Sequence, residues 1–123
     1  MDKLNQVMLY VDDLESAVKF WTETLNFVIV QETEMPDNYK AVEVAPNENV
    51  ETSITLFDKA FIKKYSPEVS TETPSLMFKE TNFDALYDKL KALNLTGHDI
   101  IDMGGVRVFN FQDGQGNFFA VSE

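Results

Sequence analysis

Between Asn5 and Val11 the chain alternates: Val7, Leu9 and Val11 share one parity, and Gln6, Met8 and Tyr10 the other. A period of two predicts a strand with two unlike faces. Asp12-Asp13-Leu14-Glu15 then reads as a capping box, with Asp12 as N-cap and Glu15 at the third helical position. Leu14, Ala17, Val18, Trp21 and Leu25 recur at helical spacing, the buried stripe of an amphipathic helix. Asn26 suits the helix end, and Phe27–Gln31 predicts the next strand. A Pro/Asp/Asn turn at Met35–Asn38 leads into Tyr39–Ala45, where Val42 and Val44 alternate with Ala41 and Glu43. After the turn Pro46-Asn47-Glu48-Asn49, Glu51–Phe57 sets Ile54 and Leu56 against Ser53, Thr55 and Phe57. The order is β-α-β-β-β.

The pattern then restarts. Asp58–Thr73 is polar, holds Pro67, and reads as a linker with one short helix at Lys59–Tyr65. Pro74–Lys79 is strand-like, Thr81-Asn82-Phe83-Asp84 offers a second cap, and Phe83, Leu86, Tyr87, Leu90 and Leu93 form a second stripe. Three short strands follow at Asp99–Asp102, Val106–Phe111 and Asn117–Ser122. Gly104-Gly105 and Asp113-Gly114-Gln115-Gly116 supply the turns between them. With an offset of 69, Gln6 falls on Ser75, Ala17 on Leu86, Val18 on Tyr87 and Trp21 on Leu90. Two βαβββ modules in an internal repeat are therefore expected, at residues 1–57 and 74–123 with the linker at 58–73. The fold class is α+β, and a ferredoxin-like order of strands and helices fits less well.

Composition narrows the function classes. The formal net charge of −11 repels phosphate backbones and anionic bilayers, which argues against nucleic-acid and membrane partners. With no cysteine there is no disulfide, no thiolate nucleophile and no Cys-ligated zinc. Apolar runs such as Val7–Val11 and Phe27–Val30 are strand-sized, and Met1–Asn5 lacks the regions of a signal peptide. The chain reads as a soluble cytoplasmic protein.

A strand passing through an acidic cap into a helix with an aromatic pair and a Leu-Asn-Phe turn spans Val7–Phe27. That segment resembles the opening of the vicinal-oxygen-chelate superfamily: glyoxalase I, bleomycin-resistance proteins, fosfomycin-resistance transferases and extradiol dioxygenases. Val108–Phe118 is similar to the family's last hairpin, with Asp113-Gly114-Gln115-Gly116-Asn117 where Asp-Pro-Asp-Gly-Asn is usual. The resemblance implies curled mixed sheets around a cleft, helices outside, and commonly a homodimer. It also implies four strand positions where His and Glu hold a divalent metal. Carried over, these fall on Gln6, Thr55, Ser75 and Ala120, none of them His or a carboxylate. An amide and hydroxyls bring neither imidazole nor negative charge, so no metal and no cofactor is expected.

The single histidine, His98, tempts as a general base but lies in a loop after the second helix, where a solvated role suits it better. Glu43 is the one weak catalytic candidate: Val42 and Val44 should face the helices, which turns Glu43 to the cleft side, as a base or cation anchor, or to an exposed part of the sheet. A plain solvated strand residue is the simpler reading. Arg107 shares parity with Phe109 and Phe111 and suits a surface ion pair, while Trp21 on the helix stripe suits the core. Parity leaves Gln6, Met8, Tyr10, Ser53, Thr55 and Phe57 facing the cleft from the first module. Ser75, Met77, Lys79, Asn110, Phe118 and Ala120 face it from the second. Apolar and aromatic groups with a few neutral hydrogen-bonders suit a small organic ligand, or simply fill space. The leading expectation is a small-molecule binding protein that sequesters its ligand. The alternative is an enzyme of the same superfamily: a glyoxalase-like lyase or isomerase, or a dioxygenase-like protein, metal-dependent only if the ligand positions are misaligned.

Overall fold

The opening alternation forms β1, Gln6–Val11, in a computed structural model that describes residues 1–123. Two units follow along the chain, Met1–Glu72 and Thr73–Glu123, each built on a four-stranded mixed sheet. In the first unit, α1 spans Leu14–Lys19 and runs into a π-helical turn at Phe20–Thr24. Then come β2 (Val28–Glu34), a 3-10 turn at Pro36–Asn38, β3 (Lys40–Ala45), β4 (Ser53–Asp58) and α2 (Lys59–Tyr65). The sheet order is β1-β4-β3-β2, with β1 parallel to β4 and the other pairs antiparallel.

Parity decides what this sheet buries. Leu9, Val11, Val42, Val44 and Leu56 are fully buried, and α1 packs along β4 with Leu14, Ala17, Phe20 and Trp21 buried in turn. Each large apolar side chain taken out of water stabilises the fold by roughly 1.5–3 kcal/mol. Two details of α1 differ from the sequence reading. The N-cap is Asp13, not Asp12: its carboxylate accepts the Ser16 backbone N–H at 3.0 Å, and that bond holds its carboxyl below the ordinary range. Asp12 instead pairs with Lys59 at 3.5 Å. The second difference is the π turn, where the Leu25 N–H reaches back to the Phe20 carbonyl at 3.1 Å. The wider turn brings the adjacent Phe20 and Trp21 inward together, leaving Val18 and Leu25 only half-buried. Asn26 ends the helix in the left-handed region, at φ 62°.

The second unit repeats the order with β5 (Met77–Lys79), α3 (Phe83–Ala92), β6 (Ile101–Met103), β7 (Val106–Gln112) and β8 (Phe118–Ser122). Its sheet runs β5-β8-β7-β6, again with the first strand parallel to the last. The rings of Phe83 and Tyr87 meet Phe109 edge-on at 5.0 and 5.2 Å, fixing α3 on β7. Leu93 leaves the expected stripe and is 53% exposed, because the helix stops at Ala92 and Asn94 turns left-handed at φ 59°. β5 is also shorter than expected, which leaves Ser75 ahead of the strand. Two mixed sheets in repeated modules are the observed architecture, and neither sheet closes on itself.

Candidate functional site

Opposite its apolar face, the first sheet carries a small lattice of polar and aromatic side chains. The register pairs Gln6 with Ser53, Met8 with Thr55 and Tyr10 with Phe57, while Glu43 on β3 pairs with Thr55. Glu43, Thr55 and Met8 thus form one row across three strands. Tyr10 and Phe57 lie one step along it, and Gln6 and Ser53 one step back, at about 7 Å per step.

Two side-chain hydrogen bonds hold the lattice. The Thr55 hydroxyl donates to Gln6 Oε1 at 2.7 Å, and the Ser53 hydroxyl donates to Glu43 Oε2 at 2.6 Å. Ser53 and Thr55 are each 6% exposed, so these hydroxyls are satisfied inside the fold and serve as props. What they prop stays accessible. The Gln6 amide nitrogen and Glu43 Oε1 take no bond, and Met8 is 39% exposed beside them. The Tyr10 and Phe57 rings sit 6.1 Å apart, and Phe57 lies nearly parallel to Phe61 of α2 at 6.2 Å. Phe61 in turn contacts Tyr39 at 5.3 Å and Tyr65 at 4.9 Å. The polar rows therefore grade into an aromatic strip that the sequence reading did not include. Phe61 and Tyr65 are four residues apart on α2, a spacing that places both on one helix face and could have pointed to it.

The other expected site residues lie in the second unit. Met77 pairs with Ala120, and Ala120 with Asn110, on the face of that sheet opposite α3; Phe118 shares this face and is exposed, as Met77 is. Ser75 precedes the strand. His98 is exposed in the loop between α3 and β6. Arg107 pairs bidentately with Asp84, both bonds at 2.9 Å, reaches Glu123 at 2.7 Å, and lies over the Phe83 ring at 4.8 Å. It is bound up in packing and charge neutralisation.

As a metal site the first sheet does not fit. Gln6 Oε1 is engaged by Thr55, Glu43 is the one carboxylate in the lattice, and no three His, Asp or Glu side chains gather around a common point. Neutral amide and hydroxyl oxygens alone do not compete with water for zinc or nickel.

A separate depression of about 390 Å³ lies at the start of α1, lined by Asp12, Asp13, Glu15 and Asp58 with Tyr39 and Lys40. None of the expected site residues lines it. Burial pushes the Asp58 carboxyl above its ordinary value of 3.8; the Leu14 backbone N–H opposes the push and the Asp13 charge adds to it. A carboxyl that takes its proton more readily in the folded chain stabilises the fold as pH falls, and its ionised form costs stability near neutrality. Asp58→Asn is thus expected to raise the urea midpoint at pH 7. The advantage should vanish by about pH 3, where the wild-type carboxyl is protonated in both states. A variant less stable than wild type at pH 7 would show that the ionised carboxylate is needed where it stands.

The whole chain has relatives. It is 29% identical to YetH, an uncharacterized protein of Bacillus subtilis (strain 168), over 98% of both chains. A member of the glyoxalase/bleomycin resistance protein/dioxygenase superfamily from Sphaerobacter thermophilus DSM 20745 superimposes with a TM-score of 0.83 at 22% identity, covering 100% of this chain and 98% of its own. TnmS3, an antibiotic binding protein from Streptomyces sp. CB03234, gives 0.79 at 20% identity, covering 98% of this chain and 94% of its own. Residues 3–121 match the sequence pattern of the Glyoxalase/Bleomycin resistance protein/Dioxygenase superfamily, and the chain belongs to that family.

Proposed function

We propose that this protein binds and sequesters a small organic molecule, without a metal, as a cytoplasmic homodimer. The observation that carries the reading is the propped lattice on the first sheet: hydrogen-bonded Gln6–Thr55 and Glu43–Ser53 pairs beside Met8, Tyr10 and Phe57. A few fixed polar groups among aromatic and thioether side chains can orient an organic ligand and adapt to its shape. Met77, Asn110, Phe118 and Ala120, with Ser75 ahead of β5, offer similar chemistry on the second unit. TnmS3, which shares the fold, is an antibiotic binding protein, and that supports a binding role for this fold. The enzyme reading rests on Glu43, a carboxylate on the same face with Oε1 open, which could take a proton from a bound substrate.

The homodimer is part of the proposal because β2 is an edge strand with Ile29 and Val30 exposed, a surface that a second copy would cover. Native mass spectrometry of protein purified without chelator tests both parts. The expected spectrum is a species of twice the chain mass, free of zinc and nickel. A stoichiometric metal would overturn the metal-independent reading, and a monomer at high micromolar concentration would remove the dimer.

A further inference from the structure

Glu43 is a half-buried carboxylate that forms no ion pair. The lysines of the first unit that form ion pairs are engaged elsewhere: Lys19 with Glu15, Lys40 with Glu32, Lys59 with Asp12 and Lys64 with Asp37. Its only hydrogen bond is the Ser53 hydroxyl on Oε2, so Oε1 carries charge without a partner. Along β3 it is flanked on its own face by the buried Ala41 and Ala45, whose methyl groups offer the carboxylate no hydrogen-bond partner. One step across the lattice stand the Tyr10 and Phe57 rings, whose faces carry the negative lobe of the aromatic quadrupole.

From this juxtaposition we infer that the ligand of the first sheet is an organic cation, a planar aromatic molecule bearing an amine or amidinium, with Glu43 as its counter-ion. The inference rests on the binding reading above and names its ligand class. A carboxylate and aromatic faces attract the same kind of charge, so the two features reinforce each other for a cation and jointly disfavour an anion. The Gln6 amide, its oxygen already held by Thr55, presents N–H donors for a carbonyl or ring nitrogen elsewhere on the same molecule. The chain's net charge of −11 adds a long-range field that raises the local concentration of cations. Ligand binding would supply the counter-charge that the free protein lacks at this position.

Three fluorescent tricyclic probes of similar shape separate charge from packing: proflavine (cationic), acridone (neutral) and anthracene-9-carboxylate (anionic). Titrations at about 0.15 M salt, where the Debye length is about 8 Å, limit the contribution of remote surface charge. Wild-type protein is expected to bind proflavine at least about tenfold more tightly than acridone, with the anion weakest. Glu43→Gln should remove that preference by weakening proflavine far more than acridone, since the amide can still accept the Ser53 hydroxyl. Glu48→Gln, which removes one charge from an exposed turn, should leave the preference intact. Tyr10→Leu keeps an apolar side chain without the ring, and should reduce proflavine affinity more than acridone affinity. Equal binding of the three probes, an unchanged preference in Glu43→Gln, or the same loss in Glu48→Gln overturns the cation assignment and leaves sequestration standing. Binding of none of the three overturns both.

Discussion

Trp21→Ala is expected to lower the stability of the protein by about 3–5 kcal/mol, the largest loss for any single truncation in α1 or the π turn that follows it. Trp21 is 0% exposed and sits in the π turn, with its ring at 5.9 Å from Phe20 and 5.0 Å from Phe27, both near edge-on. Removing the indole forfeits its transfer free energy, and the remaining rings cannot collapse fully into the space, because each is fixed by the backbone. The Leu25 N–H bonds the Phe20 carbonyl and the Phe27 N–H bonds the Trp21 carbonyl at 2.9 Å, so this helix end has little freedom to close the cavity. Against a total stability of roughly 5–15 kcal/mol the loss is a large fraction. Urea titration followed by circular dichroism measures it, since the variant has no tryptophan left to report by fluorescence. Val18→Ala, at a half-buried position of the same helix, is the comparison and should cost about 1 kcal/mol or less. Equal losses at the two positions would show that the π turn does not organise this core.

The faces of β1, β3 and β4 were legible in the sequence because burial and alternation report the same thing. Leu9, Val11, Val42, Val44 and Leu56 sort to one side of the first sheet by parity alone, and Gln6, Met8, Tyr10, Glu43 and Thr55 follow to the other by geometry. The short helix expected within the polar linker is present at Lys59–Tyr65. Single-residue features were less legible. With two adjacent aspartates either can cap, and the choice depends on which carboxylate meets the Ser16 N–H once β1 has fixed the approach of the chain. The π turn has no residue signature of its own; it follows from burying two neighbouring aromatics at once. Leu93 misleads because periodicity carries no information about where a helix stops, which here is set by Asn94 adopting a left-handed conformation.

The candidate site was legible as composition and illegible as wiring. Parity puts Gln6, Thr55, Ser53 and Glu43 on one face, yet neither parity nor register shows that each hydroxyl donates to its diagonal neighbour. That pairing converts four polar residues into two props and two open groups. The aromatic strip through Phe61 to Tyr39 and Tyr65 depends on how α2 returns to β4, a tertiary fact without a short-range pattern.

In the second unit, Asp113→Ala should cost about 2–4 kcal/mol, because it strands several buried donors at once. Asp113 is 6% exposed and ties the last hairpin together. Its Oδ1 accepts the backbone N–H of Gln115 at 2.8 Å and of Asn117 at 3.2 Å, and its Oδ2 accepts the Asn117 side-chain amide at 2.6 Å. Asn117 is 3% exposed, and its own amide oxygen accepts the Thr73 hydroxyl, which ties the start of the unit to the turn. Gly114 and Gly116, both at φ 83°, let the backbone curl tightly enough for one carboxylate to reach all three donors. With alanine at 113 those donors have no acceptor and little access to water, so the β7–β8 hairpin should open more often. Amide exchange in β7 and β8 is expected to accelerate alongside the drop in the urea midpoint. Asp102→Ala provides the control: Asp102 Oδ1 accepts the Gly105 N–H at 2.7 Å in the other hairpin of the same sheet, but that turn is exposed and water can replace the carboxylate. Its cost should stay below about 1 kcal/mol. If the two variants lost the same stability, burial would not be what makes the Asp113 carboxylate matter, and the hairpin would be held by its glycines and strand pairing alone.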